Sequence, residues 1–171
     1  MPHLGLICPE LSGHLNPMTT LGGELKRRGY RVSLIARPDA RVKTESAGLE
    51  FLSVGERDFP AGSMASTTAQ LGQLGGLSAI RFTAELLRRA AVTILEDAPG
   101  VIAGARIDAL LVDQVTSAGD TVAEMLGLPF VTVCNALALN PDPAIPPAVT
   151  PWRYRRGWIW RVRNAFGDAV F

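Results

Sequence analysis

Two residues of the chain could act together as an acid–base pair. His14 lies between an apolar, strand-like stretch and an amphipathic helix, in "ICPELSGHLNPMTT", and Asp113 directly follows another apolar run, in "ALLVDQV". A neutral imidazole nitrogen can take a proton from a hydroxyl group, and a neighbouring carboxylate can fix the tautomer and stabilise the imidazolium that forms. This pair of residue types is suited to general base catalysis, provided that the fold brings the two side chains together.

Each residue also has an ordinary structural interpretation. A lone histidine in a strand–helix loop is often a cap or a surface group, and an aspartate after a strand often caps the next helix. Asn16 and Pro17 are typical of a helix start, so His14 is expected in the loop before it. The positive end of that helix dipole is expected to favour the neutral, base-ready imidazole. The residues alone leave the catalytic and the structural interpretations open.

The spacing of apolar runs predicts an α/β fold. Strands are expected at 3–8, 31–36, 49–54, 108–112 and 129–134, and helices from 16 to 28, over 39–48, from 77 to 94 and over 116–127, where Ser117 and Asp120 have capping-box spacing. This alternation predicts a Rossmann-like, doubly wound and mainly parallel sheet. If the strand order is 3-2-1-4-5, the crevice at the point where the winding reverses lies between strands one and four, and His14 and Asp113 meet there.

Composition and missing motifs exclude several classes of protein. The chain has 171 residues, of which 47% are hydrophobic and 19% charged, as in a globular domain. It has neither a membrane-length apolar run nor a signal-peptide pattern, so a cytoplasmic location is expected. Dinucleotide, phosphate-loop and nucleophile-elbow motifs are missing, so no bound cofactor is expected. Cys8 and Cys134 lack metal-ligand spacing and are expected to be buried thiols at strand ends, with no metal site.

Charge and aromatic residues divide the chain unevenly. Residues 1–150 hold 12 basic and 15 acidic side chains, whereas 151–171 hold five arginines, one aspartate and all three tryptophans. We therefore predict one Rossmann-like domain over 1–150 and a separate basic, aromatic segment over 151–171, after the proline-rich stretch 141–151. This segment could pack against a further domain, shape a ligand pocket, or make peripheral contact with a membrane through 152–163. The excess of acidic side chains in residues 1–150 and the lack of a nucleic-acid-binding motif argue against a nucleic-acid partner.

The sequence resembles a known enzyme family. "GHLNPMTTLGGELKRRGYRV" resembles the G-H-x-x-P opening of UDP-glycosyltransferases with the two-domain GT-B architecture. "DALLVDQVTSAGDTVAEMLGLPFVTVCNALALNPDPAIPPAVTPW" is similar to the branch that contains zeaxanthin glucosyltransferases and macrolide glycosyltransferase-like enzymes. The resemblance implies that the chain is the N-terminal, acceptor-binding half of such a fold. It also implies that His14 is the catalytic base and that Asp113 supports it.

The implied reaction is an inverting transfer that requires no metal. The acceptor hydroxyl, deprotonated by His14, attacks the anomeric carbon of a UDP-sugar, and UDP leaves. The family's donor site lies mainly in a C-terminal domain whose motif these 171 residues do not contain, so the UDP-sugar is expected to bind through that missing domain. A non-enzymatic Rossmann-like module, which would hold a hydrophobic ligand or a partner protein, is the alternative.

Selectivity for the acceptor is expected to come from two stretches. Residues 55–76 are small, polar and glycine-rich, which predicts a long mobile loop. After Asn135 the composition changes, first to a proline-rich stretch and then to a basic, aromatic one. Asn135 could hydrogen-bond an acceptor hydroxyl or form a turn. Apolar side chains from both stretches could line a pocket for a hydrophobic, carotenoid-like acceptor, or could simply be core: Phe59, Met64, Leu71, Leu74, Leu137 and Leu139.

Overall fold

The computed structural model describes residues 1–116, 118–136, 141–147 and 150–170. The chain forms two compact units, Met1–Asn135 and Ala136–Phe171. The boundary lies at Asn135, before the predicted one at residue 150. The reason lies within the second unit, where the proline-rich segment packs with the helix that follows it: Asn164 donates its side-chain amide to the carbonyl of Pro143 at 3.1 Å.

The first unit is a doubly wound α/β sheet, as predicted. Its strands are β1 (His3–Ile7), β2 (Arg31–Ala36), β3 (Glu50–Ser53), β4 (Ala109–Asp113) and β5 (Phe130–Val133). All neighbouring strands are parallel, in the order β3-β2-β1-β4-β5. The predicted strand order is therefore confirmed, and the winding reverses between β1 and β4.

Helices cover both faces of this sheet. They are α1 (Ser12–Arg27), α2 (Arg41–Ser46), α3 (Ser63–Gly72), α4 (Gly76–Ala105) and α5 (Gly119–Met125), with a short 3-10 turn over Pro38–Ala40. One core layer joins the sheet to α4 and α5 through residues such as Ile7, Ile102 and Val122, and the other joins it to α1 through Leu6, Leu34 and Met18. Strands buried on both faces explain the unbroken apolar runs in the sequence.

The start of α1 differs from the prediction. The helix begins at Ser12 rather than at Asn16, so His14 lies in its first turn and not in a loop. Pro17 is tolerated inside the helix because its missing N–H removes only the bond to the carbonyl of Gly13, which is exposed to solvent. The backbone of His14 is therefore held by helical hydrogen bonds, which a loop would not provide.

The predicted mobile loop over 55–76 is wrong, because most of its second half is helix α3. No local side chain caps the N-terminus of this helix. Instead the carboxylate of Asp39, which follows β2, accepts hydrogen bonds from the N–H groups of Gly62 and of Met64, the latter at 2.8 Å. Because the cap comes from a distant part of the chain, the local pattern of small residues gives no sign of it.

Helix α4 is longer than predicted and its first half is less buried. Thr93, Ile94, Ala98 and Ile102 are buried, but Leu77, Ile80 and Leu87 are 72%, 53% and 49% exposed. The periodic apolar residues before residue 93 therefore do not all face the core. The predicted Ser117 cap of α5 lies outside the described residues.

The other histidine lies at the opposite end of β1 from His14. His3 is buried, with Nδ1 at 3.0 Å from the carbonyl of Ala105 and Nε2 at 2.7 Å from the hydroxyl of Ser33. The Ser33 hydroxyl is also 2.8 Å from a carboxylate oxygen of Glu50. This network ties β1, β2 and β3 together at the edge of the sheet that is remote from the predicted crevice.

The Ser33→Ala variant should be less stable than the parent chain by about 1–3 kcal/mol, because it leaves a buried imidazole nitrogen without its partner. Urea denaturation followed by circular dichroism measures this difference in the free energy of unfolding. Ser46→Ala is the matched control, since Ser46 is exposed and its hydroxyl contacts only the carbonyl of Val42. Equal midpoints for the two variants would contradict the role given to Ser33.

The second unit contains helix α6 (Trp158–Val170). Its inner face packs on the preceding segment, since Asn164 is fully buried and the guanidinium of Arg163 lies 4.7 Å from the ring centre of Trp152. Its outer face is exposed and apolar. None of the helices in the described part of the chain is long and apolar enough to cross a membrane.

Candidate functional site

The fold brings His14 and Asp113 together at the carboxyl ends of β1 and β4. His14 Nδ1 lies 2.9 Å from Oδ2 and 3.1 Å from Oδ1 of Asp113. Because a carboxylate can only accept hydrogen bonds, the Nδ1–H of a neutral His14 donates to it, and Nε2 is left unprotonated. A side chain with this tautomer can take a proton at Nε2, as a general base must.

The two side chains differ in their exposure. Asp113 is fully buried, whereas 15% of the His14 side chain is exposed. Asp113 also accepts the backbone N–H of Val115 at 2.9 Å and the side-chain amide of Asn135 at 2.7 Å. Each carboxylate oxygen thus has a fixed donor in addition to the imidazole, and these hydrogen bonds stabilise the buried negative charge.

Cys8, at the end of β1, is the nearest buried thiol to this pair. Burial raises the pKa of the Cys8 thiol far above its usual range, and the negative charges of Asp113 and Glu10 raise it further. The side chain therefore stays neutral and is not a nucleophile. Cys134 was predicted to be buried as well, but it is exposed, because it follows the edge strand β5.

His14 opens onto a cavity of about 340 Å³. The cavity lies between the carboxyl ends of the strands and the helices α3 and α4, and its lining is mostly apolar or threonine. Its wall from α3 consists of Met64, Thr67, Thr68 and Leu71, and its wall from α4 includes Thr83, Leu86, Leu87, Ala90, Thr93 and Ile94. Such a lining is suited to a neutral, hydrophobic ligand that carries a few hydroxyl groups.

Arg37 is the one permanently charged side chain among the described residues that line this cavity. Its guanidinium forms a two-pronged ion pair with Glu10, at 2.6 Å and 2.7 Å, and Glu10 is almost completely buried. Because its charge is already matched, Arg37 does not make the cavity a site for an anion.

The residues predicted to line an acceptor pocket divide into three groups. Met64 and Leu71 line the cavity of His14. Phe59 and Leu74 do not, and Leu137 and Leu139 lie outside the described residues. Phe59 is instead 96% buried between two guanidinium groups, with Arg37 at 4.3 Å and Arg89 at 5.2 Å from its ring centre. Its backbone N–H donates to the carbonyl of Gly55 at 2.8 Å.

Asn135 lies at the exit of β5, as predicted, but its hydrogen-bond partner is Asp113. Its amide contacts Asp113 and it is not among the residues that line the cavity. Two further features were missed: the hydrogen bond from Val115 and the wall contributed by α4. Among the described residues, no group of three or more His, Cys, Asp and Glu side chains is placed to hold a metal ion.

Comparison with known proteins finds relatives that are glucosyltransferases. No family model matches the chain. The chain is 32% identical over its whole length to a zeaxanthin glucosyltransferase of Pantoea ananas, and 29% identical over 154 residues, 90% of the chain, to one of Pseudescherichia vulneris. It spans 39% and 36% of the length of these relatives. The resemblance predicted from the sequence is therefore confirmed.

Solved structures give the same fold. The calicheamicin glycosyltransferase CalG4 superposes with a TM-score of 0.63 at 22% identity, over 77% of this chain and 32% of that one. The glycosyltransferase SsfS6 of Streptomyces sp. SF2575, in complex with thymidine diphosphate, gives 0.61 at 18% identity, over 77% of this chain and 38% of that one. The chain has the Rossmann-like fold found in GT-B glycosyltransferases.

Proposed function

We propose that this chain is the acceptor-binding, base-supplying half of an inverting glycosyltransferase. The sugar moves from a UDP-sugar to a hydroxyl group of a hydrophobic acceptor, and a second domain outside these 171 residues binds the donor. One observation carries the proposal: His14 has its Nδ1 held by the fully buried Asp113 while its ring opens onto an apolar cavity. The similarity to two zeaxanthin glucosyltransferases supports it.

The chemistry that we propose needs only these two side chains from this half. Nε2 of neutral His14 takes the proton of the acceptor hydroxyl as the hydroxyl oxygen bonds to the anomeric carbon. The bond between that carbon and the phosphate oxygen breaks, its electron pair stays with the phosphate, and UDP leaves. Asp113 stabilises the positive charge that forms on the imidazole, since its carboxylate is only about 3 Å from Nδ1.

The size of the cavity limits which part of the acceptor it can hold. At about 340 Å³ it is at the lower end of the range of roughly 300–1,000 Å³ for sites that hold drug-sized ligands. It therefore suits a ring-sized, hydroxylated end group rather than a whole carotenoid. We propose that a carotenoid-like acceptor places one such end group beside His14 and keeps its chain outside.

Acceptor binding by the 171-residue chain tests the cavity. In the Ala90→Trp variant a bulky ring fills part of the cavity that His14 lines, and we expect the affinity for zeaxanthin, presented in mild detergent, to fall about tenfold or more. Val92→Trp is the matched control, because Val92 lies on the same helix but does not line this cavity. Isothermal titration calorimetry gives both affinities, and equal affinities would exclude the cavity as the acceptor site.

The transfer reaction itself is tested on a joined protein. The chain fused to the C-terminal part of the Pantoea ananas zeaxanthin glucosyltransferase should transfer glucose from UDP-glucose to zeaxanthin. A well-folded fusion that binds zeaxanthin in the cavity but transfers no sugar would favour the alternative, a non-enzymatic binding module.

We also propose that the second unit makes peripheral contact with a membrane that carries anionic lipids. The outer face of α6 exposes Trp158, Ile159, Val162 and Phe166 to 58–74%. These residues follow one helical stripe, and exposed arginines such as Arg155, Arg156 and Arg161 accompany them. A basic, tryptophan-bearing helix with one apolar face is typical of segments that lie at a bilayer surface. Trp160 belongs to the predicted contact segment 152–163 but not to this exposed face, because the guanidinium groups of Arg155 and Arg163 stack on its ring.

Vesicle binding tests this contact. Phosphatidylglycerol vesicles should shift the tryptophan emission to shorter wavelength, and Trp158→Phe should remove most of that shift because Trp158 is 74% exposed. Val162→Glu should weaken binding about tenfold or more. Val42→Glu, at a 76% exposed valine of the other unit, is the matched control and should bind unchanged. Equal binding to uncharged vesicles, or self-association without vesicle binding, would contradict the proposal.

A further inference from the structure

We propose that Asn135 is a positioning residue for the pair formed by His14 and Asp113, and that it acts by holding the Asp113 carboxylate through its side-chain amide. The proposal rests on the proposed role of His14 as the base. In this proposal Asn135 does not bind the acceptor, although its position at the exit of β5 first suggested that role.

The contacts of Asp113 assign this part. Nδ2 of Asn135 donates to Oδ2 at 2.7 Å, the backbone N–H of Val115 donates to Oδ1 at 2.9 Å, and His14 Nδ1 spans both oxygens. The carboxylate is fully buried, so its hydrogen-bond donors come from the protein. Without Asn135, Oδ2 would keep only the imidazole as a partner, and an under-satisfied buried anion rearranges to find another donor.

Two donors at opposite oxygens also fix the plane of the carboxylate. A carboxylate held at Oδ1 alone can rotate about its Cβ–Cγ bond, and the second contact removes this freedom. The plane that results directs both oxygens toward Nδ1, which selects the tautomer with Nε2 unprotonated. Because the Asn135 amide is neutral, it fixes the carboxylate without cancelling the negative charge that stabilises an imidazolium.

The position of Asn135 in the fold agrees with this role. Asp113 and Val133 are paired across β4 and β5, so the chain just beyond β5 passes directly beside the carboxylate. Asn135 is not among the residues that line the cavity of His14. His14, Asp113 and Asn135 therefore form one chain of hydrogen bonds across the ends of three elements, and only its first member reaches the cavity.

Nuclear magnetic resonance on the 171-residue chain tests the proposal without any activity. The chain has two histidines, so ¹⁵N spectra of the ring nitrogens resolve His14, and His3 reports whether the sheet is intact. We expect the parent chain and the neighbouring control Cys134→Ser to show His14 protonated at Nδ1. Asn135→Leu removes the donor, and the Nδ1-protonated fraction should fall by about twofold or more while the His3 signals stay in place.

The Asn135→Gln variant separates a hydrogen-bond role from a packing role. It keeps a side-chain amide donor but changes the packing around it. At a pH where the imidazole is neutral, the Nδ1-protonated fraction of His14 in this variant should lie nearer to that of the parent chain than to that of the Leu variant. A Leu variant that is indistinguishable from Cys134→Ser would overturn the proposal, and so would a Gln variant that is indistinguishable from the Leu variant.

Kinetics on the fused enzyme gives the second readout. Asn135→Leu should lower kcat by about 10–10²-fold and leave the KM for the acceptor unchanged. A raised acceptor KM with an unchanged kcat would instead make Asn135 an acceptor ligand and overturn the positioning role. If the parent fusion transfers no sugar, it is the proposed function that fails, and the magnetic resonance result still decides the role of Asn135.

Discussion

Replacing His14 with alanine in the fused enzyme is expected to lower kcat for glucose transfer by about 10³-fold, within the range of roughly 10²–10⁴ for loss of a positioned general base. The acceptor hydroxyl would then have to lose its proton to water, and the buried Asp113 cannot take over because it does not line the cavity. Affinity for the acceptor should change little, since the imidazole is one small part of the lining. Initial rates at several acceptor concentrations separate kcat from KM.

Two controls make this result specific. His3→Gln removes the other histidine, at the remote end of β1, and should leave kcat within about threefold, because the ring nitrogens of His3 contact Ala105 and Ser33, far from the cavity. Added imidazole should restore part of the rate of the His14→Ala enzyme, since the deletion leaves room for a small base beside the acceptor. A His14→Ala enzyme with the parent kcat would exclude His14 as the base.

Replacing Asp113 with asparagine is expected to have an effect at least as large, about 10⁴-fold in kcat near neutral pH, because the imidazole then adopts the wrong tautomer. The geometry explains why. The N–H of Val115 cannot reorient, so the single oxygen of the new amide must stay on its side. The NH₂ group then occupies the place of Oδ2 and donates to Nδ1 of His14, while the side-chain amide of Asn135 turns over so that its oxygen faces this NH₂ group. Nε2 becomes the protonated nitrogen and can no longer accept the proton of the hydroxyl group.

The matched control lies at the other end of the same strand. Asp108 precedes β4 and accepts the backbone N–H of His3 at 2.7 Å, so Asp108→Asn makes the same chemical change far from the cavity. It should leave kcat nearly unchanged. The fold of both variants is checked by circular dichroism, and the tautomer by the ¹⁵N signals of His14. An Asp113→Asn enzyme within about tenfold of the parent rate would contradict the orienting role.

The positions of the strands could be predicted from the sequence because strand formation in this fold depends on the local pattern of apolar residues. Runs such as "LGLIC", "RVSLIA" and "DALLV" are apolar on both faces, which is what a parallel strand covered by helices on both sides requires. From five such strands and the helices between them, the reversal point and the meeting of His14 with Asp113 followed, although the two residues are 99 positions apart.

The helical boundaries around the cavity could not be predicted, because contacts from distant parts of the chain set them. Helix α3 forms over a stretch of small polar residues, and Asp39, which follows β2 in the sequence, supplies its N-terminal cap. Phe59 is apolar and lies in the right stretch of sequence, yet it is buried between Arg37 and Arg89 and does not line the cavity. In both cases the contacts involve charged groups that only the tertiary structure brings near.

What the sequence by itself determined about this protein is the set of five strands, the helices between them and the two residues that follow strands one and four, since alternation of apolar runs and helix-forming segments is a local property. What only the tertiary structure decided is how that pair is held and what it faces. The amide of Asn135, the N–H of Val115 and the wall of α4 reach the site by folding, and hydrogen-bond partners in a buried site depend on distances that no local pattern encodes.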